Sequence, residues 1–221
     1  MTDRGESPIE GPEPAPVGPL EVPVALTTSR SVQGLGALVG VVLGGGAALA
    51  ASTGHHFSSL EQILAIIVFG VFGALAGWAV AVDIVEHRLP NRLTYPLIPA
   101  AAVSLIVLSL ILGEPRRISV ALFSGLLAGG VFFVAALVTP SGIGMGDAKF
   151  AVTTTMLAGW WSPVSAVWAI FNAFWMAGIF VLIAYAARRV NARTAIPFGP
   201  FLFAGMALAI FWNMSASPFS W

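Results

Sequence analysis

Six long stretches of this chain carry no charged side chain: 32–60, 62–82, 93–113, 118–146, 150–187 and 194–221. Each matches or exceeds the roughly 20 apolar residues that a helix rising 1.5 Å per residue needs to cross a hydrocarbon core of about 30 Å. Such runs cannot all be buried inside one small water-soluble domain, so they dictate a polytopic helical membrane protein. Composition agrees: of 221 residues, 57% are hydrophobic and 9% charged, and the mean hydropathy is +0.90. A net charge of zero gives no electrostatic case for a nucleic-acid partner. The absence of cysteine excludes disulfides and thiolate metal sites.

The run 150–187 would measure about 57 Å as a single helix, far more than the bilayer core. It contains Trp160-Trp161-Ser162-Pro163. The tryptophan pair suits a membrane interface, and the residue before a proline is disfavoured in a helix. The run is therefore expected to divide into a short span at about 148–160 and a longer one at about 164–186, which makes seven spans. Trp212 is likewise expected in an interfacial belt. Gly36, Gly40 and Gly44 recur at four-residue spacing in the first span, a pattern for close helix packing.

The positive-inside rule tests the count. With seven spans and the N-terminus in the cytoplasm, Arg4, Arg30, Arg88, Arg92, Lys149, Arg188, Arg189 and Arg193 face inward, and Arg116 and Arg117 face outward. With six spans the balance would be five against five. Seven is the better count. The first thirty residues differ in kind, holding six prolines and five of the ten acidic residues, and are expected to form a disordered tail over 1–30 ahead of a membrane domain at 31–221.

Beyond the tail there are only two aspartates, Asp83 and Asp147, each where an apolar stretch stops. A carboxylate at membrane depth costs at least about 2.5–3.5 kcal/mol on insertion scales, which makes each a candidate functional group. Two spans separate Asp83 from Asp147, and two more separate Asp147 from the loop before Pro197. Parity therefore returns all three segments to one membrane face. Asp83 precedes Leu89-Pro90-Asn91, a helix break. Taken alone, it could simply mark a helix end. Gly142, Gly144 and Gly146 give a permissive backbone ahead of Asp147, open to the close approach of another chain. That segment also fits a plain turn with Asp147 capping the next helix. Pro197-Phe198-Gly199-Pro200-Phe201 is a rigid, non-helical entry that could line a cavity, or an ordinary loop-to-helix junction.

Together these segments resemble the type IV prepilin peptidases, membrane aspartyl proteases of the glycine-x-glycine-aspartate kind. Asp83 with Leu89-Pro90-Asn91 and Leu93-Thr94, then Gly144-Met145-Gly146-Asp147-Ala148-Lys149, then Pro197-Phe198-Gly199-Pro200-Phe201, stand in the family's order across about 64–210. The resemblance implies that Asp83 and Asp147 are the catalytic pair. Gly144, Gly146, Lys149, Pro197, Phe198, Gly199 and Pro200 then support the site or bind substrate. It also implies that the substrate is the leader peptide of a prepilin or pilin-like protein, cut at the cytoplasmic face of the cell membrane for a type IV pilus or a secretion pathway. Long family members carry a cytoplasmic insertion with paired cysteines near the N-terminus and methylate the new N-terminus. Here the connection after the first span is short and cysteine-free, so the chain resembles the peptidase-only forms.

The pair suits the chemistry. Two close aspartates share one proton, so the ionised member can deprotonate water while its partner polarises the scissile carbonyl. No cofactor and no metal are expected, since His55-His56 fall on the opposite face without a supporting cluster. Intramembrane carboxylates also serve proton-coupled transporters, and packing glycines also suit a non-catalytic subunit of a pilus or secretion assembly. Both acids at one face, with no obvious inverted repeat, stand against the transporter.

Overall fold

The computed structural model describes residues 30–53, 57–86, 89, 91–138, 144–188 and 196–212. The acidic tail, His55 and His56, Arg88, Pro90, Gly142 and the Arg189–Arg193 cluster lie outside them. The described residues form seven helices and no strand: α1 (Arg30–Thr53), α2 (Ser59–Glu86), α3 (Asn91–Ile111), α4 (Arg116–Val138), α5 (Met145–Trp161), α6 (Pro163–Ala186) and α7 (Gly199–Trp212). α1, α2, α3, α4 and α6 are long and apolar enough to cross a membrane. α5 and α7 are shorter, about 26 Å and 21 Å at 1.5 Å per residue.

The long run 150–187 breaks where its chemistry requires. Pro163 cannot donate a backbone hydrogen bond and occupies the first turn of α6, where none is needed. Ser162 is extended, and its Oγ accepts from the Ser165 N–H at 3.0 Å, capping α6. The tryptophan pair departs from the expected interfacial belt. Trp160 and Trp161 are both buried, edge-to-face at 5.0 Å, with Phe69 5.7 Å and 5.4 Å from their respective rings. The indole N–H of Trp160 donates to Ser109 Oγ at 2.8 Å, which satisfies its one donor inside the bundle. Trp212 remains exposed.

α5 is the central element. Every residue from Ala148 to Trp161 is buried except Lys149 and Val152. A helix with no polar face is surrounded by protein, and α5 touches α3, α4, α6 and α7. Thr154 hides its hydroxyl by donating to the Phe150 carbonyl at 3.1 Å. The glycines of α1 pack on α2 as their spacing implies. A Cβ on Gly40 would collide with the Gly73 carbonyl oxygen, and one on Gly77 with the Gly36 carbonyl.

These contacts define two ends of the bundle. At one, Phe57 ahead of α2, Ser109 of α3 and Arg117 of α4 surround the C-terminal tryptophans of α5. At the other, the last turns of α2 meet the first turns of α5 and α7.

Candidate active site

Asp83 lies one turn before the end of α2 and is only 3% exposed. Its Oδ2 accepts the backbone N–H of Gly199 at 3.1 Å. Gly199 opens α7, so the carboxylate sits where that helix exposes unpaired N–H groups and the positive end of its dipole. The residue type is set by space: a Cβ at position 199 would lie 2.7 Å from Asp83 Oδ2 and 3.6 Å from Leu89 Cδ1. Pro200 follows in the first turn of α7, where its missing donor costs nothing. Phe198 anchors this entry. Its carbonyl accepts from the N–H groups of Phe201 and Leu202, and its ring packs 5.1 Å from Phe174 and 6.0 Å from Phe132. Pro197 is half-buried in the extended segment just before.

Asp147 stands in the first turn of α5, ahead of the 148–160 stretch assigned to the membrane. Its Oδ2 accepts the Gly144 N–H at 3.3 Å, a cap at the helix start. The carboxyl is pushed up to about 6, first by burial, next by the neighbouring charge of Asp83, with the Gly144 N–H pulling the other way. Gly146 admits a second neighbour: a Cβ there would lie 3.0 Å from Leu89 Cβ.

Leu89 thus joins the three segments. It is 7% exposed and wedges between Gly146 and Gly199, beside both aspartates in sequence or space. Sequence reasoning treated the Leu-Pro-Asn run as a helix break and overlooked its leucine as packing. The available signal was a lone aliphatic residue between polar neighbours and two glycine-rich segments. The donor from Gly199 to Asp83 was also missed, because a backbone N–H leaves no trace in residue identity.

Lys149 follows Asp147 by two residues in α5. Its ammonium lies 4.0 Å from the Tyr95 ring centroid, a cation–π contact at the edge of a 380 Å³ groove that also includes Phe133, Met145 and Val152. The structure thus brings together Asp83, Asp147, Gly144, Gly146 and Gly199 with the Pro197–Pro200 entry, and sets the Lys149 ammonium against Tyr95.

The type IV leader peptidase family model matches residues 70–183, a little over half of the chain, including both aspartates and stopping short of Pro197. Neither a curated protein nor a solved structure matches this chain. A helical membrane bundle that holds two aspartates together, within a matched region of that extent, leads to one conclusion: the chain belongs to the type IV leader peptidase family.

Proposed function

We propose that this multi-pass membrane peptidase is an aspartic endopeptidase that cuts leader peptides from prepilins or pilin-like proteins at the cytoplasmic face. The observation that carries the reading is the joining of Asp83 and Asp147 through Leu89, Gly146 and Gly199, with the charge of Asp83 felt at Asp147.

The chemistry follows from one shared proton. The raised carboxyl of Asp147 is assigned the proton, and Asp83, which accepts the Gly199 N–H, is assigned the role of base. A water between the carboxyls gives a proton to Asp83 as its oxygen bonds to the scissile carbonyl carbon. The proton of Asp147 passes to the carbonyl oxygen, so no isolated oxyanion forms in a low-dielectric site. Collapse of the tetrahedral adduct breaks the C–N bond. The departing amine takes a proton from Asp83, the adduct hydroxyl returns one to Asp147, and the pair is reset. Gly146 lets Leu89 pack beside Asp147, and Gly144, which is exposed, keeps side-chain bulk away from the Asp147 carboxylate where a peptide would approach.

Methylation of the new N-terminus is not part of this function. Only residues 54–58 connect α1 to α2, with no cysteine and no room for an inserted domain. The deciding experiment is co-expression with candidate prepilins of the same genome in a host lacking its own leader peptidase. A leader-sized mobility shift, present with the wild type and absent with Asp83→Asn, supports the reading. No shift with any prepilin, from a well-inserted wild type, rejects it.

A further inference from the structure

The end of the bundle remote from the aspartates holds a charge that peptide cleavage does not use. Arg117 is only 7% exposed, and among the described residues its Nε and Nη1 have no hydrogen-bond partner. Aromatic rings cover the guanidinium, with its central carbon 4.7 Å from the Trp160 ring and 5.3 Å from that of Phe57. Rings satisfy the faces of a guanidinium but not its in-plane N–H edge, and an unmet buried charged donor is costly. An acceptor beyond the described residues is needed at that edge.

The surroundings specify what. Arg117 lines a cleft with Arg116, Glu114, Trp160 and Ser162, and two arginines against one glutamate leave it positive. The enclosed part is about 10 Å³, room for one oxygen-sized group and not for a whole free anion. The ligand must therefore be held mainly from outside the cleft. Further along the same helices, from Phe123 after Val120 and from Pro163 after Ser162, an apolar groove of 390 Å³ runs between α4 and α6, lined by Phe123, Leu127, Val131, Pro163, Val167 and Phe174. A cationic notch lined by Val120 and Ser162, with an apolar groove starting at the neighbouring Phe123 and Pro163 on the same two helices, matches an amphiphile with a phosphate head. We propose that this chain binds one anionic glycerophospholipid, with a phosphodiester oxygen on the Arg117 edge and an acyl chain in the α4–α6 groove.

This site lies about 20 Å along α5 from Asp147 at 1.5 Å per residue and does not depend on the peptidase reading. The test is native mass spectrometry of the purified full chain in detergent, titrated with dioleoyl phosphatidylglycerol, dioleoylglycerol and inorganic phosphate. The wild type should retain one phosphatidylglycerol. Dioleoylglycerol, which has the chains without the phosphate, should bind at least tenfold more weakly, and inorganic phosphate should not bind at comparable concentration. Arg117→Gln, which removes the charge, and Leu127→Trp, which fills the groove, should each weaken phosphatidylglycerol binding at least tenfold. Unchanged affinity in either folded variant overturns the proposal. So does equal binding of dioleoylglycerol, which would mean a groove that takes chains alone. Inorganic phosphate binding as tightly as the lipid would make this a free-anion site and also overturn it. Should Arg117→Gln fail to fold, Leu127→Trp and the comparison of ligands on the wild type decide the matter.

Discussion

At the scale of single residues, the site depends on what two carboxylates and one glycine can do in little space. Replacing either aspartate by asparagine removes the group that ionises or the group that shares the proton. Asp83→Asn and Asp147→Asn are each expected to abolish leader cleavage, with membrane insertion retained, in a co-expression gel assay. Full cleavage by either would dismiss the pair. Gly199 gives a finer test. An added methyl would stand 2.7 Å from Asp83 Oδ2, too close for any real Cβ, so the carboxylate must shift off the Gly199 N–H. Gly199→Ala is expected to lower the cleavage rate at least tenfold, about 1.4 kcal/mol of transition-state stabilisation, at equal membrane levels. The acid–base state sets a pH dependence. Asp147 is raised to about 6, so it keeps its proton at pH values where an ordinary aspartate has lost it, and gives it up as pH rises past about 6. Cleavage by enzyme in proteoliposomes should therefore fall with rising pH above that value. A rate that climbs steadily from pH 5 to 8 would contradict a proton held on Asp147.

Helices read well from sequence where one strong local rule acts, and poorly where the partner element decides. The break at Ser162-Pro163 was legible because proline forbids the continuing hydrogen bond whatever surrounds it. The glycine spacing of α1 was legible as a packing face, since four-residue spacing places small residues on one side. Trp160 and Trp161 were misread as interfacial because their burial rests on Ser109, Phe57 and Phe69, contributed by α3, the segment ahead of α2, and α2. At the site, the convergence of three segments followed from counting crossings. Leu89 as wedge and the Gly199 N–H as donor needed the chain path itself. The α1–α2 seam carries its own prediction. Gly40→Val places a side chain against the Gly73 carbonyl, whereas Gly46→Val meets nothing within 4 Å. Overpacking typically costs about 1–3 kcal/mol, and backbone contact leaves little relief. Gly40→Val should lower the thermal midpoint of the detergent-solubilised protein by several degrees, and Gly46→Val should leave it near that of the wild type. Equal midpoints would mean that α1 and α2 separate at little cost.

For the whole molecule, orientation links the site to its substrate, because a peptidase can cut only what reaches its face of the membrane. The bundle gathers Asp83, Asp147 and Gly199 at one end and Arg117 with the tryptophan pair at the other. The charge distribution gives an expectation for which end faces the cytoplasm. The seven-span reading of the sequence assigns eight basic residues to the aspartate side and two, Arg116 and Arg117, to the other. Translocating a basic residue outward is opposed, so the proposed orientation keeps the aspartate end inside. The chain has no cysteine, so single cysteines give an unambiguous readout. Arg116 is exposed at the start of α4, and Arg188 is exposed just past the end of α6. Arg116→Cys should react with a membrane-impermeant maleimide added to intact cells. Arg188→Cys should react only after the cells are opened. The reverse pattern would place the aspartates outside the cytoplasm, and with them any leader peptide they could cut. Labelling of both positions in intact cells would mean that an odd number of crossings does not separate them, contrary to the three helices α4, α5 and α6 that lie between.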